Sequence, residues 1–134
     1  MRLLPDTNVL VYETIEDSTH HDEACGLIDN ASEIYLPSIV IHEYYWVMTK
    51  LGVNPSIVLL KIAEYLQDLR TYYFAESLRV YKKAFRMLLE DEKGYRDIND
   101  YIILAVALEE KITLGTYDQG LKRIATERGV KVTP

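Results

Sequence analysis

Short β-like runs alternate along this chain with longer stretches of helical period, and that alternation restricts the fold more than any other feature of the sequence. The runs are Arg2 to Pro5, Glu33 to Pro37, Thr71 to Phe74, Ile112 to Thr116 and Val130 to Val132. Helices are expected from an N-cap at Ser18-Thr19 through Ala31, from Ser38 through Leu51 with Gly52 as the stop, and from Ile57 through Arg70 behind Asn54-Pro55. Three more are expected from Ser77 to about Lys93, from Asp97 to Lys111 and from Gln119 to Arg128. Asp6-Thr7-Asn8 reads as a turn after the first strand. Strands that are almost continuously apolar are covered on both faces, and strands separated by helices run parallel. The expectation is an α/β protein with a central parallel sheet between helices.

In such a sheet, ligands gather outside the carboxyl ends of the strands. Asp6 and Asp118 both fall there, after the first strand and just past Ile112 to Thr116. Glu43 has Ile39, Val40, Trp46 and Val47 as its helical neighbours, so its carboxylate is expected on an apolar face, and no basic residue precedes Lys50 in that helix. Asp100 opens the run Tyr101-Ile102-Ile103-Leu104-Ala105-Val106-Ala107-Leu108, with Asp97 one turn earlier. Simpler readings exist for some of these. Asp6 could serve a turn, Asp118 could cap the last helix, and Asp97 suits the dipole or N-cap of its helix. Burying an ionised carboxylate without a partner nevertheless costs several kcal/mol. Four acids beside apolar segments call for a shared cation, and an oxygen-only set suits Mg²⁺ or Mn²⁺.

Other chemistries find less support. His20 and His21 are adjacent and point to different faces, and His42 has no second histidine four residues on, so a zinc site is not expected. The single cysteine, Cys25, excludes an internal disulfide and is assigned to the core beside Leu27 and Ile28. There is no glycine-rich phosphate loop and no G-x-S-x-G elbow. Acidic residues exceed basic ones by six in 134 residues, so non-specific coating of a polyanion is disfavoured unless a cation or local basic rim reverses the sign. Candidates for such a rim are Arg96, Lys122 and Arg123, with Lys82, Lys83 and Arg86 in addition, although each also suits a solvated helix face. No apolar run reaches the ~20 residues of a membrane helix, no leader pattern is evident, and a cytoplasmic location is expected. The eleven tyrosines and the faces around Tyr44-Tyr45-Trp46 and Ile57 to Leu66 suit a core or a subunit interface.

The ordered set of Asp6-Thr7-Asn8, Glu43, Asp100 before its apolar helix, and Leu114-Gly115-Thr116-Tyr117-Asp118 resembles the PIN-domain nucleases over essentially the whole chain, and is most similar to the VapC-type toxins. The resemblance implies a single domain over residues 1–134 with a three-layer α/β/α fold, and a metal-dependent ribonuclease activity. It casts Asp6, Glu43, Asp100 and Asp118 as catalytic, metal-binding acids. Thr7, Asn8 and Thr116 become their polar support and Asp97 an accessory acid. Gln119-Gly120-Leu121 departs from the charged residue and aromatic that many relatives carry there. An RNA substrate, an antitoxin partner and a homodimer are further implications. Two other classes stand beside this one. A catalytically silent PIN-like binding domain would share the fold, whereas a receiver-type phosphoryl-transfer domain would need an aspartate after the third strand, where Phe74-Ala75-Glu76 offers none.

Overall fold

The computed structural model describes residues 1–134 throughout. Five strands, β1 (Arg2–Pro5), β2 (Glu33–Pro37), β3 (Thr71–Phe74), β4 (Thr113–Gly115) and β5 (Val132–Thr133), form one sheet in the order β3-β2-β1-β4-β5. Every pairing is parallel. Leu3 and Leu4 are both fully buried in β1, and in β2 Leu36 is fully buried and Pro37 buried. Successive side chains point to opposite faces of a strand, so both faces of this sheet are covered and the fold is a three-layer α/β/α sandwich.

Seven helices supply the outer layers: α1 (Thr7–Thr14), α2 (His21–Asp29), α3 (Ser38–Lys50), α4 (Pro55–Gln67), α5 (Leu78–Glu90), α6 (Ile98–Glu110) and α7 (Gln119–Glu127). In α6, seven successive residues, Tyr101 to Ala107, are buried, which makes it the central helix of the core. No helix is long and apolar enough to cross a membrane.

Three local expectations require correction. Asp6-Thr7-Asn8 is the start of α1 rather than a free turn, because the Asp6 side chain accepts the Thr7 amide at 2.8 Å and caps the helix. Ser18 does not cap α2. Its hydroxyl donates to the Tyr12 carbonyl, and α2 begins at His21 without a side-chain cap. Ser38 does not cap α3 either, since its hydroxyl donates to Glu76 at 2.6 Å and the same carboxylate accepts the Ile39 amide. Two other caps agree with the sequence: Asn54 accepts from Ser56 with Pro55 in the first turn, and Ser77 accepts from Val80. The end of α3 is closed by Gly52, whose φ of 93° is the left-handed conformation that glycine tolerates. A short 3-10 turn, Tyr95–Asp97, precedes α6. Asp97 occupies the position before that helix but makes no capping hydrogen bond.

Cys25 is half-buried midway along α2, one turn from His21, and is not part of the core. On α4 only Val58 and Tyr65 are buried, whereas Ile57, Leu59, Leu60 and Leu66 are exposed, so an ordinary core explains just one face of that helix.

Candidate active site

The strand order reverses between β1 and β4, because the chain moves from β1 outward through β2 and β3 and then crosses back to the other side. This is the topological switch point where parallel α/β sheets leave a crevice at the carboxyl ends of their strands. β1 and β4 are in register there, Pro5 against Gly115, and the Asp6 amide donates to the Gly115 carbonyl at 2.7 Å. Gly115 has little room for a side chain. A Cβ on it would lie 2.9 Å from Leu3 Cδ1 and 3.3 Å from Leu27 Cδ2.

Asp6, Thr7, Asn8, Val11, Tyr12, Glu43, Val47, Asp100 and Asp118 line a cleft of about 290 Å³ at this point. The four acids come from four elements or their ends, and nothing near-neighbouring in sequence brings them together. Asp6, only 7% exposed, accepts the Thr7 amide on Oδ1 and the Thr116 hydroxyl, at 2.8 Å, on Oδ2. Thr116 is fully buried and also accepts the Asp118 amide at 3.1 Å. Asp118 is exposed and caps α7 by accepting the Leu121 amide at 2.9 Å, so it lines the cleft and closes a helix at once. Glu43 accepts the Thr7 hydroxyl on one oxygen and the Asn99 amide on the other, both at 3.3 Å. Asn8 turns its Oδ1 to the Tyr117 amide at 3.4 Å. Asp100 accepts no hydrogen bond.

Asp6, Glu43 and Asp100 resist ionisation. Burial raises the Asp6 carboxyl above its usual range against the opposing donors Thr116 and Thr7, and the charge of Asp118 adds to the rise. Burial and the charge of Asp6 raise Glu43, again against its hydrogen bonds. Asp100 is pushed up to about 7, first by burial and then by the charges of Asp6, Asp118, Glu43 and Asp97. Asp97 therefore acts on the cluster through its field without lining the cleft.

The donor set is all oxygen, is anionic and contains one carboxylate with every lone pair free, which fits a hard divalent cation. No three of the acids stand close enough to be a ready-made ion cage. Such an arrangement suits Mg²⁺ or Mn²⁺, which retain several waters between ion and protein, better than an ion that requires direct ligation throughout.

No basic residue lines the cleft. Arg96 is exposed on the 3-10 turn with its guanidinium over Tyr95, and Lys122 and Arg123 border a separate hollow on α7, where Lys122 donates to the Pro134 carbonyl. Lys82, Lys83 and Arg86 lie with Arg79 and Glu109 along another groove, and Lys83 pairs with Glu109 at 3.0 Å. The sequence reading omitted Val11, Tyr12, Val47 and Asn99. An asparagine beside Asp100 at a helix start was the available signal for the last.

Among solved structures, the chain is similar to VapC20 of Mycobacterium tuberculosis, a toxin that cleaves the sarcin–ricin loop, at 17% identity and a TM-score of 0.79 over 98% of this chain and 99% of that one. It is similar also to VapBC2 of Rickettsia felis bound to a promoter DNA fragment, at 22% identity and a TM-score of 0.69 over 99% and 98% of the two chains. VapBC-5 of M. tuberculosis, of the VapBC family of toxin–antitoxin systems, aligns at 20% identity and a TM-score of 0.59 over 98% and 95%. No curated protein matches in sequence. These likenesses establish a shared fold, and the PIN domain matches the sequence itself from residue 3 to residue 127. With that match spanning both central strands and all four clustered acids, the chain belongs to the PIN-domain family.

Proposed function

We propose that this chain is a Mg²⁺- or Mn²⁺-dependent ribonuclease that hydrolyses RNA phosphodiester bonds, and that it is the toxin of a toxin–antitoxin pair. The observation that carries the reading is the convergence of Asp6, Glu43, Asp100 and Asp118 on one cleft at the switch point of the sheet, with no basic side chain to neutralise them. Asp6, Glu43, Asp100 and Asp118 would hold the ion. When bound, a cation of this kind lowers the pKa of water, polarises a phosphoryl oxygen and offsets charge on the leaving oxygen.

The chain's own groups orient this chemistry. Thr116 and the Thr7 amide fix the two oxygens of Asp6, while Thr7 and Asn99 fix those of Glu43. Val11 and Val47 give the cleft an apolar wall that strengthens the field of the acids. Asp100, raised to about 7 and without donors, would give up its proton on holding the cation. A partner is supported by the exposed Ile57, Leu59, Leu60 and Leu66 on α4, a row that water does not favour, and by the toxin–antitoxin systems among the structural neighbours. Either a second copy or an antitoxin would cover it.

Incubation of the purified protein with a pool of RNA tests the activity. Cleavage is expected with Mg²⁺ or Mn²⁺, is lost in excess chelator and returns on readdition of the ion. Turnover that persists in chelator, or in Asp6→Asn, would sink the proposal.

A further inference from the structure

A second hollow, of about 260 Å³, adjoins the acidic cleft and is lined by His42, Glu43, Trp46 and Asn99. Glu43 is the wall common to both. His42 and Trp46 stand one turn apart on α3, and Lys50 follows after another turn with its Nζ 4.7 Å from the centroid of the indole. Trp46 is 57% exposed, although Tyr44 and Met48 beside it in sequence are buried. The outward stripe of α3 thus carries an imidazole, an indole and an ammonium in a row beside Glu43. None of the three belongs to the hydrophobic core.

We propose that Trp46 and His42 form a stacking subsite for a nucleobase of single-stranded RNA, next to the phosphate presented to the acids; this rests on the ribonuclease reading. Lys50 covers one face of the indole by a cation–π contact and places a positive charge where the RNA backbone continues. Asn99 supplies amide polar atoms at the base edge and is already held against Glu43. Stacking on aromatic rings gives affinity without a basic groove and tolerates any base, which suits a chain of net charge −6 whose cleft has no cation of its own. A base locked in a duplex cannot reach the ring, so the subsite selects unpaired RNA.

Trp46 is the only tryptophan, so the intrinsic emission of the whole protein reports this one place. The Asp100→Asn protein is titrated in Mg²⁺ with a short single-stranded RNA oligonucleotide and, separately, with a duplex of the same sequence. Saturable quenching by the single strand at much lower concentration than by the duplex is expected. In the otherwise native protein, Trp46→Ala is expected to raise KM for cleavage about tenfold with kcat nearly unchanged, and Trp46→Phe to recover most of the loss. An unaltered KM in Trp46→Ala, with native protein that cleaves, overturns the subsite. Emission that follows protein concentration but ignores RNA overturns it too, and marks the stripe as a protein contact. If the native protein cleaves nothing yet single-stranded RNA quenches Trp46, the subsite stands and the ribonuclease reading falls.

Discussion

Two pairs of aspartates in this molecule live under opposite electrostatic rules. Asp68 is gripped by Arg70, with Nη2 at 2.8 Å from one oxygen and Nε and the backbone amide at 3.0 and 2.9 Å from the other, and its carboxyl falls to about 2. Asp91 accepts the Tyr101 hydroxyl at 2.6 Å and Arg128 at 2.9 Å, and is likewise lowered. At the sheet edge, burial raises Asp6 and Asp100, and neither has a cationic side chain within reach. The acids that secure the fold are each paired with an arginine, whereas no cationic side chain stands beside Asp6 or Asp100. An acid count alone cannot tell these groups apart; the sign of the shift does.

The largest expected contrast is in turnover. Asp100→Asn should lower RNA cleavage by about a thousandfold or more, while Asp68→Asn and Asp91→Asn stay within a fewfold of native in the same assay. Comparable losses in both groups would erase the distinction.

Ion binding should separate them next. At an Mg²⁺ concentration of about 100 times its Kd, native protein gains roughly 2.7 kcal/mol, seen as a Tm raised by several degrees, and Asp100→Asn gains much less. Metal-free unfolding in urea supplies a third test with the sign reversed. Asp91→Ala, which strands the Tyr101 hydroxyl and Arg128, should destabilise by about 2 kcal/mol, whereas Asp100→Asn should be neutral or stabilising.

The smallest effect is in pH dependence. A carboxyl raised from 3.8 to about 7 in the folded state binds more protons folded than unfolded, so its contribution to stability declines as pH rises from 4 to 7. The stability advantage of metal-free Asp100→Asn over native should therefore begin near pH 4, be larger at pH 8 than at pH 5, and level off above pH 7. Asp68 runs the other way. Its contribution is present above pH 4 and is lost as pH falls through 2. Equal advantages at pH 5 and pH 8 would show that Asp100 carries no special burden.

Much of this layout was legible in the sequence, for physical reasons that differ by element. The central strands β1, β2 and β4 could be read because burial on both faces leaves almost unbroken apolar runs, and the partly exposed edge strands β3 and β5 from their β-branched and aromatic residues, even where ends moved by a residue or two. α1 was missed because Asp6-Thr7-Asn8 spells a turn and a helix cap with the same letters, and only the position of Val9, Leu10 and Val11 in the core decides between them. Ser18 and Ser38 were convincing local caps, but distant acceptors, the Tyr12 carbonyl and Glu76, claim their hydroxyls. At the site, strand ends and helical phase pointed to the four acids. The same phase placed Trp46 on the apolar face with Glu43, suited to a core or a subunit interface, whereas that side chain meets solvent. Charged rims are the least legible, since a lysine on a helix looks alike whether it faces a groove, an acid or water.

The hydroxyl of Thr116 has one hydrogen, and its bonding fixes which way the donors around Asp6 point. The Asp118 amide can only donate, so the Thr116 oxygen accepts there and its hydrogen goes to Asp6 Oδ2, while the Thr7 amide points its own hydrogen at Oδ1. Both oxygens of Asp6 are thereby acceptors, and these two hydrogen bonds favour its ionised form against the burial that opposes it. Asp100 accepts no such bonds. The chain of Asp118 amide, Thr116 and Asp6 thus has a fixed polarity, and a cation held in the cleft would displace a proton from Asp100 more readily than from Asp6. Thr116→Ser would keep that polarity and Thr116→Val would lose it, with hardly any change in volume.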